Sequence, residues 1–263
     1  MAEPTAASVR LEREGARATL LIDRPEKKNA LNEAAWLAFQ QVAAEIESDP
    51  EIAVVTVRGA GGVFSAGADI SEFVALTSAS TERRDAFADA VRDGEEAVAR
   101  ISKPTVAAIE GACVGGGCQI ALACDIRLAA EGARFGVTPA KLGIAYPVVS
   151  TRRLVTTVGK SAAKDLLFTG RLISSDEALA IGLVDRVVPA GQLEAELESL
   201  LAQLEANSRY SLMVAKRTID GLDDPASHAE LDALWRGGFS GEDLKEGARA
   251  FLEKRKPAFS WRG

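Results

Sequence analysis

The stretch Lys103-Pro-Thr-Val-Ala-Ala-Ile-Glu-Gly-Ala-Cys-Val-Gly-Gly-Gly-Cys118 decides how this chain is read. Pro104 to Ile109 is an apolar, β-rich run of the kind that forms a buried strand. Gly111 to Gly117 is a glycine loop, and Gln119 to Ala123 reads as helix. An earlier segment has the same plan. Ile52 to Val57 is a second buried strand, Gly59 to Asp69 a second glycine loop, and Thr81 to Ile101 a long helix with a polar face. Further out, Ala16 to Ile22 is a strand ended by the turn signal Asp23-Arg24-Pro25. Asn32 to Ser48 is a helix: Trp36, Phe39, Ala43 and Ile46 fall at helical spacing, and Asn32 can cap it. Asp125 to Ala129 reads as strand. Strands alternating with helices predict an α/β fold with crossover connections.

From about Ala190 the character changes. Leu193, Leu197, Leu200, Leu201 and Leu204 make one helical stripe. Ser211 to Asp220, Ala226 to Arg236 and Glu242 to Lys256 read as further helices, with no strand among them. The expected division is a core over 1–190 and a helical region over 191–263 that serves as a lid or for oligomerisation.

The 263 residues are 47% hydrophobic and 26% charged, a globular balance that excludes a disordered or collagenous chain. A net charge of −7 argues against a nucleic-acid binder that relies on bulk charge, yet leaves room for an anion held by a local basic patch. Met1 to Arg10 has no apolar core of a secretory signal, and no apolar run is long enough to span a membrane. The three cysteines, Cys113, Cys118 and Cys124, fit a reduced, cytoplasmic setting better than a disulfide framework. A zinc site lacks a fourth ligand, since the single histidine, His228, is far away in sequence, so no metal is expected.

The two glycine loops carry the candidate chemistry. Each follows a buried strand, and each offers small residues over which a ligand can approach the backbone. Gly116 and Gly117 present N–H groups at a helix start, where the dipole favours negative charge. Converging, the loops would supply two N–H donors for one developing oxyanion. A single such loop is more simply a tight turn; two in succession favour function. Other motifs fail on spacing. Gly115-Gly116-Gly117-Cys118-Gln119-Ile120 lacks the last glycine of a dinucleotide fingerprint. Leu154 stands where a phosphate loop ending in Gly159-Lys160-Ser161 needs glycine. Gly62 is one place too far from Ser65 for a nucleophile elbow. A Cys118–His228 pair has little local support, and His228 reads as solvated or capping.

These loops closely resemble the enoyl-CoA hydratase/isomerase, or crotonase, superfamily. The resemblance rests on Phe64-Ser-Ala-Gly-Ala-Asp-Ile70, on Lys103 to Cys118 and on Cys124-Asp-Ile126. Arg24-Pro-Glu-Lys-Lys-Asn-Ala-Leu31, Phe135-Gly136, Leu142-Gly143, Ala178 to Val184 and Phe251-Leu-Glu-Lys-Arg-Lys-Pro257 extend it over nearly the whole chain. It implies a crotonase (ClpP/crotonase-like) spiral of ββα units with two stacked sheets and a C-terminal helical region. It also implies a homo-oligomer, a trimer or dimer of trimers, with no nucleic-acid or membrane partner. No cofactor is permanently bound; coenzyme A arrives as part of the thioester substrate. By position, the oxyanion donors fall on the N–H groups of Ala68 and Gly116. Backbone around Ala66, Ala68 and Ile70 resembles the adenine-contacting segment. Lys27 lies where CoA phosphates are approached, and Phe251 and Lys254 match tail residues that reach CoA on a neighbouring subunit. The tail adds a charge argument: Arg249 to Arg262 holds five basic residues against Glu253 alone.

Two positions depart from the family pattern. Hydratases of this family typically use two glutamates for general acid–base work. Gln119 stands at the first place, and Ala140, after Thr138-Pro139, at the second. An amide positions water or substrate but does not cycle a proton near neutral pH. Asp69 and Glu110 are nearby acids, with Asp69 expected to face away from substrate. Thr138-Pro-Ala-Lys-Leu-Gly-Ile-Ala-Tyr146 resembles the methylmalonyl-CoA decarboxylase branch, which suggests Tyr146 beside a substrate carboxylate. That branch, however, has a histidine at the place of Ala68 and an acid at the place of Gln119. Tyr146 reads equally well as a packing residue. The expected activity is an acyl-CoA lyase working through a thioester enolate, such as a decarboxylase. The alternatives are a 2-enoyl-CoA hydratase of fatty-acid or carboxylic-acid degradation and a catalytically silent acyl-CoA-binding or scaffold protein.

Overall fold

The computed structural model describes residues 8–262. Residues 1–7, part of the segment read for a secretory signal, and residue 263 lie outside the described residues. The chain opens with β1 (Val9–Glu14) and β2 (Arg17–Ile22), an antiparallel hairpin with Val9 opposite Ile22. The parallel strands β3 (Val54–Gly59), β4 (Thr105–Ile109), β6 (Ile126–Ala130) and β9 (Arg186–Val188) follow β2 in a six-stranded sheet of order β1-β2-β3-β4-β6-β9. A smaller sheet holds β5 (Ala112–Val114), β7 (Arg134–Gly136) and β8 (Leu172–Ser174). Single bridges, Ser65 with Cys113 and Leu31 with Ala68, carry the same ladder outward. Each turn of the chain thus lays one strand in the large sheet and one short pairing in the small one before entering a helix. This is the expected spiral of ββα units.

The helices are α1 (Glu33–Ser48), α2 (Ile70–Thr77), α3 (Thr81–Ala99), α4 (Gly116–Ala123), α5 (Val148–Thr169) and α6 (Ser175–Ala180). They are followed by α7 (Leu193–Glu205), α8 (Arg209–Gly221), α9 (His228–Gly237) and α10 (Glu242–Glu253). Asn32 caps α1 as expected, its side chain accepting from the Ala35 N–H.

The large sheet is buried on both faces, which explains its nearly unbroken apolar strands. Leu20, Ile22, Val55, Val57, Ala107 and Ile109 face a core built with Trp36, Phe39 and Ile46 of α1. Val54, Val106, Ala108, Leu128 and Ala130 face the other way, and the leucine stripe of α7 covers them. The remaining helices α8 and α9 pack on each other, and α10 adjoins the turn that follows α9.

Two local readings change. Gly111 to Gly117 is not one loop: Ala112–Val114 pairs with Arg134–Gly136, and α4 begins at Gly116. A three-residue strand between glycines has too few residues to show alternation; its partner across the sheet creates it. The hairpin strand β1 was hidden because Arg10, Glu12, Arg13 and Glu14 dilute its apolar pattern. Such charges are normal on an exposed sheet edge.

Candidate active site

The first loop is fixed from behind by two buried polar residues. Asn29 Nδ2 donates to the carbonyls of Ala60, at 2.8 Å, and Val63, while its Oδ1 accepts from the Arg24 N–H at 2.9 Å. Ser65 Oγ donates to Asn29 O at 2.8 Å and accepts from the Gly67 N–H at 3.1 Å. From Ser65 to Ile70 exposure alternates: Ser65, Gly67 and Asp69 are buried, whereas Ala66 and Ile70 are open and Ala68 half-buried between them. That alternation turns Ala66, Ala68 and Ile70 toward one side.

The Leu31–Ala68 bridge decides which N–H is free. Leu31 N donates to Gly67 O at 2.7 Å, and Asp69 N donates to Leu31 O at 2.9 Å. In an extended chain the intervening N–H of Ala68 must therefore point away from Leu31. It has no acceptor among the described residues, nor has the N–H of Gly116 at the first position of α4. The two loops touch here. A Cβ on Gly67 would stand 2.7 Å from Val114 O and 3.6 Å from Gly116 N. On Gly116 it would meet the Trp36 ring at 3.0 Å and Leu31 Cδ1 at 3.2 Å. Gly67 excludes a side chain and Gly116 leaves little room for one, and two unpartnered donors are left on adjoining loops. Such a pair suits an oxygen that gains negative charge.

Around this pair the other named residues take distinct places. Tyr146 is half-buried, and its hydroxyl donates to Gly115 O at 3.2 Å. Burial pushes the phenol well above its ordinary value, so it remains a donor. Thr138 Oγ1 lies 3.9 Å from where a Gly115 Cβ would be, and Ala140 is exposed two residues on. Lys27 Nζ stands 3.3 Å from Asp69 Oδ2, and Arg24 reaches the same oxygen at 3.1 Å. Asp69 also accepts from Ser71 Oγ at 2.7 Å and caps α2. Hydrogen bonds from Ser71, then Arg24 and Lys27, hold its carboxyl well below the usual range despite burial. Asp69 is an anchored anion that supports the loop. Glu110 pairs with Arg58 at 3.9 Å. Phe251 on α10 and Lys254, which caps its end, are exposed, and neither forms a hydrogen bond to the two loops among the described residues.

Gln119 is 5% exposed and sits one turn into α4. Its Nε2 donates to Ser150 Oγ at 2.8 Å and to Glu95 Oε2 at 3.2 Å. Glu95, on α3, is fully buried; Ser150 donates to the same oxygen, and Arg153 holds the other. Burial pushes the Glu95 carboxyl up, against the opposing pull of Ser150 and Arg153. Sequence reading passed over Glu95, Ser150 and Arg153. Their signal was present: Glu95 interrupts the stripe Phe87, Ala90, Gly94 and Val98, and a charge on the buried face of a helix requires partners.

Cys118 Sγ donates to Cys113 O at 2.9 Å, and His228 Nε2 lies 3.1 Å from Leu222 O. The two residues are engaged separately and form no pair. His228 closes the end of α8, in line with the capping reading.

The fold and the adjoining loops define a crotonase-type α/β protein. Comparison with known proteins agrees: residues 12–262 match the profile of enoyl-CoA hydratase/isomerase. A short-chain-enoyl-CoA hydratase of Clostridium acetobutylicum is 38% identical over 254 residues, covering 95% of this chain and 96% of the relative. A crotonyl-CoA hydratase of Syntrophomonas wolfei is 36% identical over 254 residues, with 95% and 96% covered. The crystal structure of an enoyl-CoA hydratase/isomerase family protein from Hyphomonas neptunium superposes with a TM-score of 0.92 at 40% identity, covering 97% of this chain and 98% of that one. The chain belongs to the enoyl-CoA hydratase/isomerase family and is an acyl-CoA-processing enzyme of the crotonase superfamily. No helix among the described residues is long and apolar enough to cross a membrane.

Proposed function

We propose that the N–H groups of Ala68 and Gly116 bind the thioester oxygen of an acyl-CoA and stabilise the enolate formed during the reaction. The observation that carries this is the pair of backbone donors left without acceptors on two touching loops. Lys27, Ala66 and Ile70 border the CoA, which is part of the substrate and not a resident cofactor. Phe251 and Lys254 complete the site from a neighbouring copy in a homotrimer or dimer of trimers.

The reaction is a lyase step that does not begin with a carboxylate base. Gln119 and Ala140 occupy the two places where such a base would be expected, and Asp69 is committed to Arg24, Lys27 and Ser71. Decarboxylation meets that requirement. The electron pair of the Cα–carboxylate bond passes into the thioester carbonyl, CO2 leaves, and Cα is protonated afterwards. Thr138 and Tyr146 lie beside Gly115, where they border the acyl group. The relatives from Clostridium acetobutylicum and Syntrophomonas wolfei are hydratases by name, which favours a second reading, hydration of a 2-enoyl-CoA. Purified protein is offered methylmalonyl-CoA and crotonyl-CoA, with CO2 release and loss of enoyl absorbance followed. CO2 release supports the first reading, and rapid hydration replaces it with the second. Tight binding without turnover of any acyl-CoA marks a silent binding protein.

A further inference from the structure

A fully buried glutamate with three donors converging on it is an unusual thing to place inside a helix layer. Glu95 comes from α3, Ser150 and Arg153 from one face of α5, and Gln119 from α4. Arg153 Nη1 is 2.5 Å from Oε1 of Glu95, and its Nη2 reaches Glu96 Oε1 at 2.5 Å. Oε2 of Glu95 receives Ser150 and the Gln119 amide. The residue before it, Gly94, packs α3 closely on α1: a Cβ there would lie 2.6 Å from Trp36 O.

The donors fix the orientation of the Gln119 amide. Arg153 only donates. Ser150 spends its proton on Glu95 and so accepts from Gln119. With its amide turned over, Gln119 would set an oxygen against a carboxylate oxygen and forfeit both hydrogen bonds. The opposite end of the side chain is informative. No buried side-chain nitrogen or oxygen among the described residues lacks a partner. Oε1 of Gln119 has no hydrogen bond among the described residues, and therefore keeps some accessible surface although the residue as a whole is buried.

We propose that Glu95 is a positioning residue that locks the Gln119 amide with Oε1 turned into the acyl cleft, so that the site accepts a hydrogen bond from a neutral donor next to the thioester. That donor is a hydroxyl on the acyl chain or the water that takes its place. A second carboxylate is disfavoured at this point, because a carbonyl oxygen and a carboxylate repel. In a decarboxylation the held water delivers a proton to Cα and the hydroxide it leaves is reprotonated from solvent, while the substrate carboxylate lies on the side of Thr138 and Tyr146. The inference rests on the acyl-CoA reading above. It adds that α3, and not only the two glycine loops, sets specificity, and that an amide stands at 119 because an anion stands behind it.

The test uses calorimetric binding of 3-hydroxybutyryl-CoA and butyryl-CoA to the intact protein, to Glu95→Gln and to Glu96→Gln. The wild type prefers the hydroxy compound by about tenfold, one hydrogen bond's worth. Glu95→Gln can donate to a flipped Gln119, so it loses the preference while holding butyryl-CoA within about threefold. Glu96→Gln removes an Arg153 contact but none to Gln119, and retains the preference. Equal affinities in the wild type, or a preference that survives Glu95→Gln, overturn the proposal. Should neither thioester bind, the acyl-CoA reading fails instead. The lock is then read by NMR from exchange of the Gln119 side-chain amide protons, protected in the wild type and released in Glu95→Gln. Equal protection in both overturns it. In the swap Glu95→Gln with Gln119→Glu the same geometry persists with donor and acceptor exchanged. The swap regains the melting temperature lost by either single change, and failure to do so counts against the pairing.

Discussion

Replacing Gly67 by alanine tests whether the contact between the two loops holds the oxyanion donors in place. The backbone at Gly67 has φ +96°, and its Cβ position is 2.7 Å from Val114 O. Two separate penalties follow. A side chain at such a φ costs about 1–3 kcal/mol. A methyl wedged against a backbone oxygen costs about 1–3 kcal/mol more, because Val114 belongs to the paired strand β5 and gives way only with its neighbours. Gly132 separates the two: its φ is +85°, but nothing lies within 4 Å of its Cβ position. Gly132→Ala is expected to lose only the backbone share, about 3–9 °C in melting temperature at about 3 °C per kcal/mol. Gly67→Ala bears both penalties and is expected to lose about 6–18 °C on the same scale. Relief of the 2.7 Å contact moves Val114, two residues before Gly116, so the donor pair is displaced and turnover falls by about 100-fold. Scanning calorimetry gives the stabilities, and turnover of whichever acyl-CoA the wild type converts gives the rate. Equal melting temperatures for the two variants, or full turnover by Gly67→Ala, would refute the placement of the loops.

Further outcomes follow from the same geometry. Asp69→Asn loses the charge that binds Arg24 and Lys27. Because the Asp69 carboxyl is depressed in the fold, its stabilisation is fully present above the ordinary value of 3.8 and is lost as pH falls through the depressed one. Urea midpoints of wild type and Asp69→Asn therefore differ at neutral pH and converge in acid. A constant gap would show that the charge is not involved. Tyr146→Phe breaks the bond to Gly115 O and lowers stability by about 1 kcal/mol. If CO2 release occurs and this variant leaves its rate unchanged, Tyr146 has no part in the chemistry. All three thiols are buried, and burial pushes Cys124 up to about 12, so aromatic disulfide reagents label none of them until the protein unfolds. Gly116→Pro removes one oxyanion donor, and turnover should be abolished; surviving turnover would exclude that N–H.

Much of the fold was legible because the parallel strands are buried on both faces and therefore read as unbroken apolar runs. The glycine loops between them stood out for the same reason: close approach of two backbones leaves no room for Cβ atoms, and glycine records that in the sequence. The residue types at 119 and 140 were equally plain. Tertiary structure alone decided what surrounds Gln119. Glu95 and Ser150 lie 24 and 31 residues from it along the chain; the pattern of α3 shows that a buried Glu95 needs partners, but not which ones. It alone also gave Asp69 its cationic partners, 42 and 45 residues away. Local periodicity reports whether a side chain is buried. Which atoms it meets there depends on how three helices pack, and that packing turns an amide with two possible orientations into one with a single oxygen facing outward.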